Sequence, residues 1–198
     1  MTKILFRQFT RRFRSIFDVE SAGRVLLYSP LVGIVAGLGA AVFFFLLKVL
    51  QQLAVGIGMG YYPTPAGTEP AAAACHPPDC WWAVLLVPAI GGLLCGWLVY
   101  NYAPEAEGHG TDGVIRSFHR HRGRIRARVP LVKSIASVLT IGTGGSAGRE
   151  GPIAQIGAGF GSLLAGRLQL GEGDRRQLML AGAAGGIGAI FHAPLGGA

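Results

Sequence analysis

An arginine and a glutamate stand side by side between apolar segments, inside the glycine run Gly142-Thr143-Gly144-Gly145-Ser146-Ala147-Gly148-Arg149-Glu150-Gly151-Pro152. Charge amid apolar sequence is expensive, and inside a membrane it marks ion pathways and proton relays. Pro152 suits the first turn of a helix, where a missing amide hydrogen loses no bond. A helix start there leaves its first amides unpaired and adds the positive end of the helix dipole. Glycines let those amides approach an anion closely. The stretch therefore describes an anion site with a carboxylate tethered beside it. Glu150 is the candidate gate: ionised, it fills the site as an internal anion, and protonation removes the charge that holds it there. Gly148, Arg149 and Gly151 are the candidate anion ligands. A plain Arg149–Glu150 ion pair is the competing reading, set against the different directions in which successive helical residues point.

A second cluster, Glu105-Ala106-Glu107-Gly108-His109-Gly110-Thr111-Asp112-Gly113, precedes an arginine run at a loop-to-helix transition. Backbone amides and a side-chain donor could face an anion here too, which makes Gly108, His109 and Gly110 further candidates. A simple turn explains the same residues, and His109 could equally be a solvated histidine or a metal ligand. A third cluster, Ala193-Pro194-Leu195-Gly196-Gly197, again places proline at a helix start. The first cluster also admits a nucleotide reading. Gly142, Gly144 and Ala147 fit G-x-G-x-x-G/A, and Ser134 to Ile141 could pass for the preceding strand of a soluble dinucleotide-binding oxidoreductase. No acidic residue stands at the distance the ribose requires, and no Gly-Lys-Ser/Thr follows the glycines. Neither an enzyme, an organic cofactor nor a metal site is expected.

The elements that must position these residues are apolar. The chain is 51% hydrophobic and only 14% charged, with 32 glycines in 198 residues. That balance fits a polytopic membrane protein whose helices pack closely through glycine. Residues 1–24 interleave arginines with phenylalanine, leucine and isoleucine and read as a basic amphipathic helix on a membrane surface. Val25 to Leu47 is long and apolar enough to span, with Pro30 near its start and Lys48 placed to snorkel at its end. Residues 54–80 hold no lysine or arginine and read as a loop. Cys75 and Cys80 within it could pair if that loop is extracytoplasmic. Trp81 and Trp82 open a second span ending near Tyr100, with aromatics at both ends. Gly33 with Gly37, and Gly92 with Gly96, look like close-packing pairs.

Basic residues return at Arg116, Arg120, Arg122, Arg124, Arg126, Arg128 and Lys133. Together with the basic N-terminus they place both segments on the cytoplasmic side of an inner, plasma membrane. The net charge of +8 is therefore read as topological rather than as a nucleic-acid patch. Val129 to Ile141, Ile153 to Leu164 and Leu178 to Ile190 are apolar, glycine-interrupted and short, as in broken helices that line a cavity.

Arg149-Glu150-Gly151-Pro152-Ile153-Ala154-Gln155-Ile156-Gly157 closely resembles the signature segment of the CLC chloride channel and transporter family. Pro104 to Gly110 resembles that family's first selectivity loop, and Phe191 to Gly197 the start of a later family helix. The likeness runs in order along residues 25–198. It implies an all-α integral membrane fold, a CLC-type half-repeat with tilted and broken helices. It also implies transport of chloride or similar monovalent anions, through a voltage-gated channel or in exchange for protons, by a homodimer embedded in lipid. Glu150 takes the family's gate position. His109, Thr111 and Asp112 depart from the family's usual Ser, Ile and Pro, which bears on anion preference. The family has two inverted halves, and the resemblance ends within the first.

Overall fold

A computed structural model describes residues 19–57 and 81–193, and every regular element among them is helical. Helix α1 spans Val19–Gln51 and runs on through a π-helical turn at Gln52–Ile57. Helix α2 spans Trp81–Tyr102 and is followed by a 3-10 turn at Pro104–Ala106. The remaining helices are α3 (Thr111–Arg120), α4 (Arg128–Gly142), α5 (Glu150–Arg167) and α6 (Glu172–Phe191). Most of the basic N-terminal segment, the Cys75–Cys80 pairing and Pro194–Gly197 lie outside the described residues.

Helices α1 and α2 are the ones long and apolar enough to cross a membrane. Their most apolar stretches are only 28% and 11% buried. On α1, Val32, Ala36, Ala40, Phe43 and Leu47 recur every three or four residues and form the buried stripe, while Leu26, Ile34, Leu38 and Phe45 face outward. On α2 only Gly91 and Val99 are buried. Apolar faces this extensive are not left in water by stable proteins; they suit lipid or a partner surface. Pro30 is not near a helix start as expected. It is inside α1, because the helix begins at Val19 and residues 19–24 are continuous with it.

Helix α5 is the hub. It is apolar almost all round, and every residue from Pro152 to Gly159 is buried, the pattern of a helix enclosed on all sides. It packs on α6, α1, α4 and α3. The closest of these contacts is with α6, where glycines bring backbone against backbone. A Cβ added at Gly157 would sit 2.1 Å from the Gly182 carbonyl oxygen, and one at Gly161 would sit 2.0 Å from that of Leu178. On its other side Gly159 receives Pro130 of α4. These helices outrun the apolar cores expected for them, since Glu150, Arg167, Glu172 and Asp174 complete their end turns. Acidic residues in a first turn and a basic one in a last turn complement the helix dipole.

The expected glycine pairs are corrected in part. A Cβ at Gly33, Gly37, Gly92 or Gly96 would meet nothing within 4 Å. Gly33 does admit α6, its Cα lying 3.5 Å from a Cβ built at Gly185, but the other contacts belong to neighbours one or two positions away: Gly39 faces Phe160, and Gly91 faces Thr143. Spacing selects a helix face only to within one residue's rotation, and packing chose the adjacent row. Hence Gly157→Ala and Gly161→Ala are each expected to destabilise the chain in detergent by roughly 1–3 kcal/mol, because a backbone cannot yield as a side chain does. Gly92→Ala is expected to be neutral or stabilising by up to about 1 kcal/mol. Thermal unfolding of the three variants checks both; equal midpoints would contradict the assigned contact.

Candidate functional site

The two glycine clusters meet. Gly108 and Gly110 adopt φ of 80° and 99°, a region open to glycine and strained for other residues. That path seats His109 against the first turn of α5. A Cβ at Gly151 would fall 1.9 Å from the His109 carbonyl oxygen, and one at Gly110 would fall 2.6 Å from the Gly151 carbonyl oxygen. Both positions must be glycine for the loop and the helix to touch.

Each side of this contact is a helix N-terminus. Gly110 is the residue before α3, and Arg149 is the residue before α5; neither terminus has a side-chain cap. The first regular amide bonds run from Val114 to the Gly110 carbonyl at 3.1 Å and from Ile153 to the Arg149 carbonyl at 3.3 Å. The amides ahead of them have no partner within the helix, and Pro152 contributes none. Two partly positive ends therefore converge.

They converge on a cavity of about 460 Å³. Its wall includes Gly108, His109 and Thr111 from one terminus and Gly148, Glu150, Gly151 and Pro152 from the other. Cys95, Val99 and Tyr100 of α2, with Ala136, Ser137 and Thr140 of α4, close the apolar sides. Glu150 is exposed, and its carboxylate makes no hydrogen bond or ion pair with a described residue. The Arg149–Glu150 pair is thus not formed. A carboxylate without a partner at a helix N-terminus is free to compete with a dissolved anion for the same amides.

Of the sequence candidates, Gly108, His109, Gly148, Glu150 and Gly151 line this one cavity. Gly110 is buried behind it as the contact with Gly151, and Arg149 is exposed and outside the lining. Lys133 is the residue that sequence reasoning missed. It is 5% exposed, lines the cavity, and donates from Nζ to the carbonyls of Ala106, at 2.9 Å, and Gly108. It had been counted with the basic residues of the cytoplasmic side. The signal was present, since Lys133 is a lone charge between Val132 and Ile135 and meets the same test that drew attention to Glu150. Its side chain ties the loop at residues 106–108 to α4 beside the two helix ends.

The profile of the voltage gated chloride channel family matches residues 91–198, more than half of the chain. The chain belongs to the voltage gated chloride channel family. A ClcB-like protein of Ralstonia nicotianae is 33% identical over 178 residues, covering 88% of this chain and 39% of the relative. An H(+)/Cl(-) exchange transporter ClcA of Vibrio vulnificus is 32% identical over 175 residues, covering 87% of this chain and 35% of the relative. Among solved structures, that of a slow cyanobacterial Cl-/H+ antiporter superposes with a TM-score of 0.68 at 27% identity, over 88% of this chain and 38% of the other. The chain thus spans little more than a third of the length of the relatives it matches. Family membership makes this an all-helical membrane protein.

The dinucleotide reading is overturned by the same geometry. Residues 134–141, which would have been its strand, form the body of helix α4, and no strand occurs among the described residues. The glycines after them end one helix and lead to the next, with no βα crossover to present a dinucleotide. Lys133→Met is expected to leave the carbonyls of buried Ala106 and of Gly108 without their donor. The chain should lose about 2 kcal/mol of stability, with amide hydrogen exchange accelerated at residues 106–110. Unchanged exchange in that loop would remove the tether from the account.

Proposed function

We propose that this chain supplies part of a pathway for chloride or similar monovalent anions, with Glu150 as its gate. One observation carries the reading: two glycine-bearing helix N-termini, about forty residues apart in sequence, line a single cavity that also holds a partnerless carboxylate. Unpaired amides at the two termini favour a negative ion there. The site's chemistry is selective binding followed by release.

In this scheme Glu150 and the transported anion are alternative occupants of the α5 terminus. Ionised Glu150 swings toward the amides and closes the path. Protonation or displacement by chloride opens it. Relatives named as H(+)/Cl(-) exchange transporters favour coupling of anion movement to protons. Gly108, His109, Gly110, Gly148 and Gly151 hold the anion through backbone amides, while Arg149 contributes its charge from outside the cavity wall. His109 brings a larger donor than serine and one that can charge near neutral pH. The assembly would be a homodimer in lipid at the inner (plasma) membrane, multi-pass, with the N-terminus cytoplasmic. The arginine-bearing 116–128 segment would lie on that same side.

The test is anion flux in liposomes, using a chimera that completes this segment with the remainder of a ClcA relative. Glu150→Gln is expected to abolish the response of flux to pH, because the amide cannot ionise. A variant whose flux still follows pH as the parent does would refute the gate. In the same assay His109→Ser is expected to shift the nitrate-to-chloride preference by several-fold. Identical preferences would take His109 out of the selectivity loop.

A further inference from the structure

Behind the contact between the 104–113 loop and α5 lies a second cavity, of about 500 Å³. Arg116, Arg120, Arg122, Arg124 and Arg126 line it, with Glu105 as its only carboxylate. Arg126 is paired to Glu105, its Nε donating at 2.9 Å. Arg122 approaches Glu172, outside the cavity wall, at 3.7 Å. Arg116, Arg120 and Arg124 have no ionic partner among the described residues. Arg116 and Arg120 share one face of α3, four residues apart.

The segment that carries the other arginines is held in place. Ser162 of α5 is 4% exposed; its hydroxyl donates to the Gly123 carbonyl at 2.6 Å and accepts from the Ile125 amide at 2.9 Å. Such anchoring fixes the backbone from which Arg122, Arg124 and Arg126 project. Like charges gathered around one cavity repel, and only an anion among them turns that repulsion into binding. Gln155 joins this cavity to the 104–113 loop. It lines the cavity, is 2% exposed, and its Oε1 has no hydrogen-bond partner, although Nε2 reaches the Glu105 carbonyl at 3.3 Å.

We propose that this cavity binds a phosphate-bearing anion, a phosphomonoester or diphosphate group that is free in solution or carried on a lipid headgroup. The space is generous for a monatomic ion, and guanidinium forks match phosphate oxygens two at a time. The site is connected to the selectivity loop through Glu105. A phosphate competes with that carboxylate for Arg126, and in doing so loosens the loop three residues ahead of Gly108. The assignment stands apart from chloride transport, because binding is measured on this chain without flux.

The experiment titrates the full chain in detergent with inorganic pyrophosphate at constant ionic strength. In parallel it measures retention on phosphatidic acid vesicles against phosphatidylcholine vesicles. Arg120→Gln is expected to weaken binding about tenfold or more, as for loss of one charge-assisted phosphate contact. Arg120→Lys keeps the charge and loses the fork, so it should fall between the two. Lys48→Gln removes the same charge at the end of α1 and should change nothing. Glu105→Gln should tighten binding, since the competing carboxylate is gone. Circular dichroism confirms the helical fold of each variant. Pyrophosphate binding identifies a free ligand and vesicle retention a lipid one; either supports the site when Arg120→Gln diminishes it. The proposal falls if neither probe binds, or if Lys48→Gln weakens binding as much as Arg120→Gln.

Discussion

Helix N-termini repel one another, because each carries unpaired amide hydrogens and the positive end of a dipole. This chain nevertheless presses two of them together. The His109 carbonyl lies against Gly151, and the Gly151 carbonyl lies against Gly110. Much of the surrounding structure serves that contact. Gly108 and Gly110 supply the positive φ values that bend the loop into place. Lys133 reaches across from α4 to hold the loop's carbonyls, and Gln155, one turn beyond Gly151, reaches back to the Glu105 carbonyl. Electrostatically the arrangement is frustrated in the absence of negative charge, and Glu150 stands where that charge is wanted.

Helix α5 can present its terminus there because it is enclosed on all sides. Its glycines admit α6 at backbone distance and Pro130 from α4, so on these faces the helix is fixed by shape, while Gln155 and Ser162 add polar ties to the 105 and 123–125 segments. Around this hub α1 and α2 turn apolar faces outward, as members of a chloride channel family do in lipid. Function and fold divide the glycines between them: those at 108, 110 and 151 shape the site, and those at 157, 161 and 182 lock the scaffold.

Much of this was legible in the sequence. The glycine clusters and the charge at Glu150 pointed to segments that meet around one cavity, because local chemistry at a helix start is written in adjacent residues. The spans were legible for the same reason, as lipid demands long apolar runs. Contacts between distant segments were less legible. Gly91 rather than Gly92 meets Thr143, a choice made by helix rotation, which no spacing rule resolves to one residue. Lys133 was hidden by its company, for it ends a run of surface arginines yet is buried. Arg149 adjoins Glu150 in sequence yet stays outside the cavity wall. The rival strand reading of residues 134–141 failed because a short, largely apolar run suits a buried helix as well as a strand.

The backbone-to-backbone seam between α5 and α6 also constrains how quickly the device can act. A helix clamped through glycine on one face and proline on another cannot slide without breaking several contacts together. Such collective rearrangements belong to microseconds and longer, whereas an exposed side chain changes rotamer in picoseconds to nanoseconds. With the helix clamped and the Glu150 carboxylate unpartnered, the fast coordinate is the rotation of one side chain. The slow step would then be chemical, the arrival or departure of a proton or an anion, and the protein itself would act as a rigid frame that sets the equilibrium but not the clock.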